Sequence, residues 1–202
     1  MFWHAEGMKT AFEGWVRLNG EEYRVRPETC YGYADKNWGG DFTSPWVWLS
    51  SSDLVSRRTG KRLQNSVFEV GGGRPRVFGF ALNRKLLGQF YYEGRDYEFN
   101  FSKFWTGSRT FFDCTETDTQ ILWKVTQTTF RAKMEAEIAC NKEEMLLIHY
   151  ESPDGFKRHT RLWNCGNSFG SVRLYEKRQG RWNLIDDMKA GSVGCEYGEY
   201  GA

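Results

Sequence analysis

The densest concentration of reactive side chains lies between residues 31 and 49, where Tyr33, Asp35, Lys36, Asn37, Trp38, Trp46 and Trp48 share one turn-rich stretch. An acid set among aromatic rings has a chemistry that a solvated acid lacks. Loss of water disfavours the carboxylate, so the carboxyl group keeps its proton and can deliver it. Asp35 is the candidate donor. Tyr33 shares a face with it in an extended chain and can hold a substrate hydroxyl. The indoles of Trp38, Trp46 and Trp48 can stabilise a developing cation through their π faces, and Lys36 and Asn37 complete the set as candidate substrate contacts. A tight corner, with Asp35 and Lys36 satisfying backbone groups, accounts for the same residues without chemistry.

A second mixture of aromatic and basic groups runs from Asn100 to Trp105 and on to Arg109. Phe104, Trp105 and Arg109 are candidate pocket-mouth residues; strand alternation with a snorkelling Lys103 is the plainer interpretation. Gly71-Gly72-Gly73-Arg74-Pro75 lacks the strand–loop–helix setting of a phosphate loop and reads as an ordinary loop. His149 and His159 are equally spaced about Asp154, so a symmetric hairpin sets them opposite each other as an exposed pair. The five cysteines are odd in number, and none form a C-x-x-C pair. With three histidines at no ligand spacing, no metal is expected and the thiols read as reduced.

These residues must be positioned by strands. The chain has 202 residues, the length of one domain with a substantial core, and a domain over 1–202 is expected. Aromatic residues make up 17% of it, with 22 Gly and only 4 Pro, which suits strands joined by tight turns. Period-two alternation recurs along the chain. Residues 12–18 and 22–26 flank Asn19-Gly20, and residues 89–92 and 96–101 flank Glu93-Gly94, both hairpin signals. Residues 120–126 and 132–138 alternate strictly, although the second run is rich in helix formers. Residues 145–150 turn at Pro153-Asp154-Gly155 into 156–163. Residues 171–175 turn near Gln179-Gly180 into 182–185, and a short strand closes the chain at 194–197. Roughly ten to twelve strands at this spacing imply an antiparallel barrel or sandwich.

A net charge of +2, from 28 basic and 26 acidic residues, speaks against a nucleic-acid partner. No apolar run is long enough for an integral membrane segment. No basic, then apolar, leader opens the chain, so a cytoplasmic location is expected.

The segment GYADKNWGGDFTSPWVWL, with Trp3-His4 before the first hairpin and Gly194-Cys195-Glu196-Tyr197-Gly198 at the end, resembles the tocopherol cyclase-like family. The resemblance implies an all-β fold, an antiparallel lipocalin-like β-barrel built from consecutive hairpins. It also implies a large apolar, isoprenoid-type ligand, no cofactor, and acid-initiated cyclisation or hydration of an alkene. Asp35 stands where the cyclases usually carry Glu, one methylene longer. The likeness is to the second, carboxy-terminal half of a two-barrel protein, so a homodimer or an absent amino-terminal half is the expected partner. A non-catalytic lipid carrier and a solid-core interaction module are the alternatives to an enzyme.

Overall fold

The computed structural model describes residues 2–38, 46–73, 76–77, 80–81, 85–152, 155 and 158–198. Two compact units divide the chain, Met1–Gly39 and Gly40–Ala202.

The first unit holds β1 (Phe2–Ala11), β2 (Gly14–Leu18), β3 (Glu21–Val25) and β4 (Tyr31–Trp38). β2 and β3 form the expected hairpin, and Asn19 and Gly20 both take the positive φ of its tight turn, at 52° and 86°. β1 pairs antiparallel with β4, setting Ala5 opposite Asp35 and Trp3 opposite Asn37. Both irregularities in this pairing fall where β1 carries the extra residue, so β4 runs unbroken.

The second unit is built on β5 (Trp46–Ser51), β6 (Asp53–Ser56), β7 (Ser66–Gly73), β8 (Arg76–Val77), β9 (Phe80–Ala81), β10 (Lys85–Tyr92), β11 (Arg95–Phe99), β12 (Arg109–Glu116), β13 (Gln120–Thr128), β14 (Ala132–Asn141), β15 (Leu146–Glu151), β16 (Arg158–Arg178) and β17 (Arg181–Gly198). One antiparallel sheet runs in the order β11-β10-β7-β5-β17-β16-β14-β13-β12. The long β16 and β17 each serve more than one partner. β15 and β14 line opposite ends of β16, and β5 and β6 follow one another along β17. Glu93-Gly94 and Gln179-Gly180 make the same positive-φ turns as Asn19-Gly20. Residues 132–141 are strand despite their helix-forming composition, because alternate positions from Ala132 to Cys140 are buried.

The sheet curls into a half-barrel, and side chains reach across the bend. Gln127 on β13 donates to the Leu86 carbonyl on β10 at 3.0 Å. Tyr97 on β11 donates to Glu176 on β16 at 2.6 Å, and Tyr92 on β10 donates to Asp186 on β17 at 3.0 Å. The enclosed face is filled by Leu49, Phe68, Phe90, Phe99, Trp123, Met134, Leu174 and Met188. Removing these side chains from water is the main drive for the curl. The all-β, antiparallel, barrel-like architecture is thus the one that the resemblance implies, and one of the two that alternation left open.

Local expectations changed in four places. Gly71-Gly72-Gly73 is strand, pairing with Lys85 to Leu87. At Gly72, with φ of 143°, a Cβ would lie 2.5 Å from the Lys85 carbonyl oxygen, so glycine is there for backbone approach. His149 does not face His159. A bulge between Ile148 and Tyr150 puts Tyr150 opposite His159, leaving His149 exposed and His159 buried. The strand expected at 194–197 is the end of the long β17. The described strands number seventeen rather than ten to twelve: β1, β6, β7, β8, β9 and β12 lie in stretches where alternation marked no strand, while 171–175 joins the preceding expected strand in β16 and 182–185 joins 194–197 in β17. Residues 153 and 154 of the expected hairpin turn lie outside the described residues.

Candidate functional site

The face of the sheet opposite the core carries a group of indoles and carboxylates, with Trp46 and Glu69 buried and Trp48 and Glu196 half-buried. On β5, Val47 and Leu49 point into the core, which sends Trp46 and Trp48 to the other side. The register sets Glu196 of β17 opposite Trp48 and Glu69 of β7 opposite Ser50. The Trp48 indole N–H donates to Glu69 Oε1 at 3.1 Å. Trp46 donates to Glu196 Oε2. Glu196 Oε1 accepts in addition from Asn164 of β16 at 3.2 Å and Tyr150 of β15 at 3.4 Å. Glu69 is only 2% exposed, and Trp46 8%. The Trp48 ring lies over Gly194, where a Cβ would come within 2.7 Å of its outer carbons. Two carboxylates and two indoles, alternating on neighbouring strands and largely removed from water, form a site suited to charge. A buried carboxylate stabilises nearby positive charge far more than a solvated one, and indole faces add to that.

The first unit holds the other part of the expected constellation. Asp35 is exposed and accepts from the Trp3 indole N–H at 2.8 Å and from Asn37 Nδ2 at 3.4 Å. Tyr33 is half-buried two positions along the same unbroken strand. The Lys36 ammonium lies 5.9 Å from the centre of the Trp38 ring, and both side chains are exposed.

Phe104 and Trp105 occupy a 3₁₀ turn, Phe104–Thr106, between β11 and β12, and are 82% and 64% exposed. Arg109 opens β12 and is exposed. All three are exposed on the second unit.

A model of the tocopherol cyclase-like family matches residues 5–199, nearly the whole chain. The chain belongs to the tocopherol cyclase-like family. The chloroplastic tocopherol cyclase of Zea mays is 31% identical to it over 104 residues. That match covers 52% of this chain but 19% of the maize protein, so the chain spans a minor part of that relative's length. No solved structure matches the chain.

In this tocopherol cyclase-like chain, Trp46 and Trp48 are the expected residues that the fold brings together in a largely buried group. Glu69, Tyr150, Asn164 and Glu196 are the partners that sequence reasoning missed. Glu196 lies within the closing Gly-Cys-Glu-Tyr-Gly segment, a signal that marked the position but no role. Glu69 carried a fainter one, an acid set among the apolar residues Val67, Phe68 and Val70.

The core holds a further cluster. Cys165 lies directly opposite Cys195 across β16 and β17, and Ser168 Oγ is 3.0 Å from Cys195 Sγ. A hydrogen bond from Cys195 lowers the Cys140 thiol to about 6, while Cys195 itself is pushed up. Among the described residues, no three His, Cys, Asp or Glu side chains converge as metal ligands, and no helix is long and apolar enough to cross a membrane.

Proposed function

We propose that this chain binds a large apolar, isoprenoid-type ligand and catalyses acid-initiated addition to one of its alkenes, with the Trp46–Trp48–Glu69–Glu196 face as the reacting surface. The observation that carries this reading is the Glu69 carboxyl group, 2% exposed and held by the Trp48 indole. Membership of a cyclase-like family supports the reaction class.

In this account Glu69 gives its proton to one alkene carbon, and the π electrons form the new C–H bond. The other alkene carbon becomes a tertiary cation beside the Trp46 and Trp48 rings. An internal hydroxyl oxygen then forms the C–O bond, and its proton passes to a carboxylate. Atoms balance, and the net change is an isomerisation; with water as nucleophile it is a hydration. Glu196, holding three hydrogen-bond donors, serves as the fixed negative charge. Protonating an isolated alkene is demanding, so exclusion of water and placement of the hydroxyl must supply much of the rate. Asp35 is the second carboxylate to weigh, because the family-like segment points to it.

Binding is tested by quenching of intrinsic Trp fluorescence with isoprenoid quinols, carotenoids and fatty acids. Saturable quenching by the isoprenoid class, weakened in Trp48→Phe, is the expected result. Flat titrations across the panel would overturn the proposal in favour of a solid-core interaction module.

A further inference from the structure

The most exposed large hydrophobic side chain described is Phe104, at 82%, and it does not stand alone. Trp105 packs edge-on against it, with ring centres 5.2 Å apart. The loop beneath is firmly built. Asn100 Oδ1 accepts from the backbone N–H and hydroxyl of Ser102, at 3.0 and 2.7 Å, and Thr106 bonds back to the Lys103 carbonyl. Gly107 ends the turn in the left-handed conformation, with φ of 66°. A second loop is fastened to the first. The Phe130 N–H, in the β13–β14 turn, donates to the Thr106 carbonyl at 3.0 Å. The Phe130 ring lies where a Cβ on Gly107 would be, 2.6 Å from its nearest carbons, and is itself 68% exposed. Phe101 adds a fourth ring at 38%.

A rigid tip of three phenylalanines and a tryptophan facing water is costly for the chain unless something covers it. Beside it stand Lys103, Arg109 and Arg131, with Asp96 and Glu98 in the hollow that Arg131 lines. Arg109 and Arg131 are exposed and meet no acidic partner among the described residues, and Lys103 is tied to Glu98 at 2.6 Å. Exposed aromatic rings with Arg109 and Arg131 exposed beside them suit a lipid surface, where rings enter the headgroup boundary and cations meet anionic phosphates. We propose that the loops 100–109 and 129–131 dock this protein on the surface of an anionic lipid bilayer. The inference rests on this tip alone and stands or falls separately from the chemistry of the buried carboxylates.

The test is co-sedimentation of the full chain with phosphatidylcholine vesicles, with and without phosphatidylglycerol. The expected result is binding to the anionic vesicles that weakens with salt. It should fall at least tenfold in Phe104→Ala/Trp105→Ala, and clearly in Arg109→Gln/Arg131→Gln. All four side chains are exposed, so both variants should keep the parent's thermal unfolding, which is checked alongside. Failure of the parent chain to bind anionic vesicles overturns the proposal. So does unchanged binding by the aromatic variant. Self-association of the parent that this variant abolishes, without vesicle binding, would assign the tip to a second copy instead.

Discussion

Trp48 of β5 donates its indole N–H to Glu69 of β7 at 3.1 Å, on the face of the sheet turned away from the apolar core. The ring is held down because Gly194, beneath it, has no side chain. Replacing Trp48 with Phe keeps a ring and deletes the donor. Removing one hydrogen-bond partner from a buried polar group costs about 1–3 kcal/mol. Denaturant unfolding should show that loss for Trp48→Phe, and a smaller loss for Trp48→Phe/Glu69→Leu, where no carboxylate is left short of a donor. Equal losses in both variants would mean that the indole N–H contributes nothing.

Gly88 and Gln127 set the curl of the sheet. A Cβ on Gly88 would fall 1.8 Å from Gln127 Oε1, while Gln127 bridges to the Leu86 carbonyl. Gly88→Ala should therefore destabilise the chain by about 1–3 kcal/mol through overpacking. Gly88→Ala/Gln127→Ala should recover part of that in the same unfolding measurement, because the clash partner is gone. A neutral Gly88→Ala would show that β10 and β13 are not held at this spacing.

Acid should weaken the tie between β11 and β16. The Tyr97 hydroxyl, then Arg178, hold the Glu176 carboxyl below its usual range. A depressed folded-state value adds stability that is complete above the unfolded carboxylate value and is lost as pH falls through the folded one. The stability difference between the parent and Tyr97→Phe, about 1 kcal/mol at neutral pH, should thus shrink below about pH 4. A difference that stays constant down to pH 3 would contradict the assignment.

The thiols should divide by burial. Cys30 and Cys114 are half-exposed, whereas Cys140, Cys165 and Cys195 are buried. The backbone at Arg26 lowers the Cys30 thiol, which favours its reaction. A disulfide reagent should modify Cys30 first and Cys114 next, and reach the other three only in denaturant. Rapid modification of all five in the native chain would contradict the packed core.

Much of the fold was legible because its signals are local. The Asn19-Gly20, Glu93-Gly94 and Gln179-Gly180 turns are specified by adjacent residues, and the strands they join follow from alternation. Trp46 and Trp48 were legible as candidate indoles, because they fall in the dense aromatic segment 31–49. Their partners were not. Glu69 and Glu196 reach them through the register of β7 and β17 on β5, set by long-range packing that no local window contains. The same limit hid the bulge that separates His149 from His159 and the close approach that makes Gly72 part of a strand.

The central claim is that a water-excluded carboxyl group beside two indoles starts the chemistry. The most direct test is product formation from an isoprenoid quinol by the parent chain, Glu69→Gln and Asp35→Asn, each matched for binding by Trp quenching. The account predicts cyclised product from the parent, and at least a hundredfold loss in Glu69→Gln with affinity retained. Full turnover in Glu69→Gln, with loss confined to Asp35→Asn, would contradict it and move the acid to the first unit.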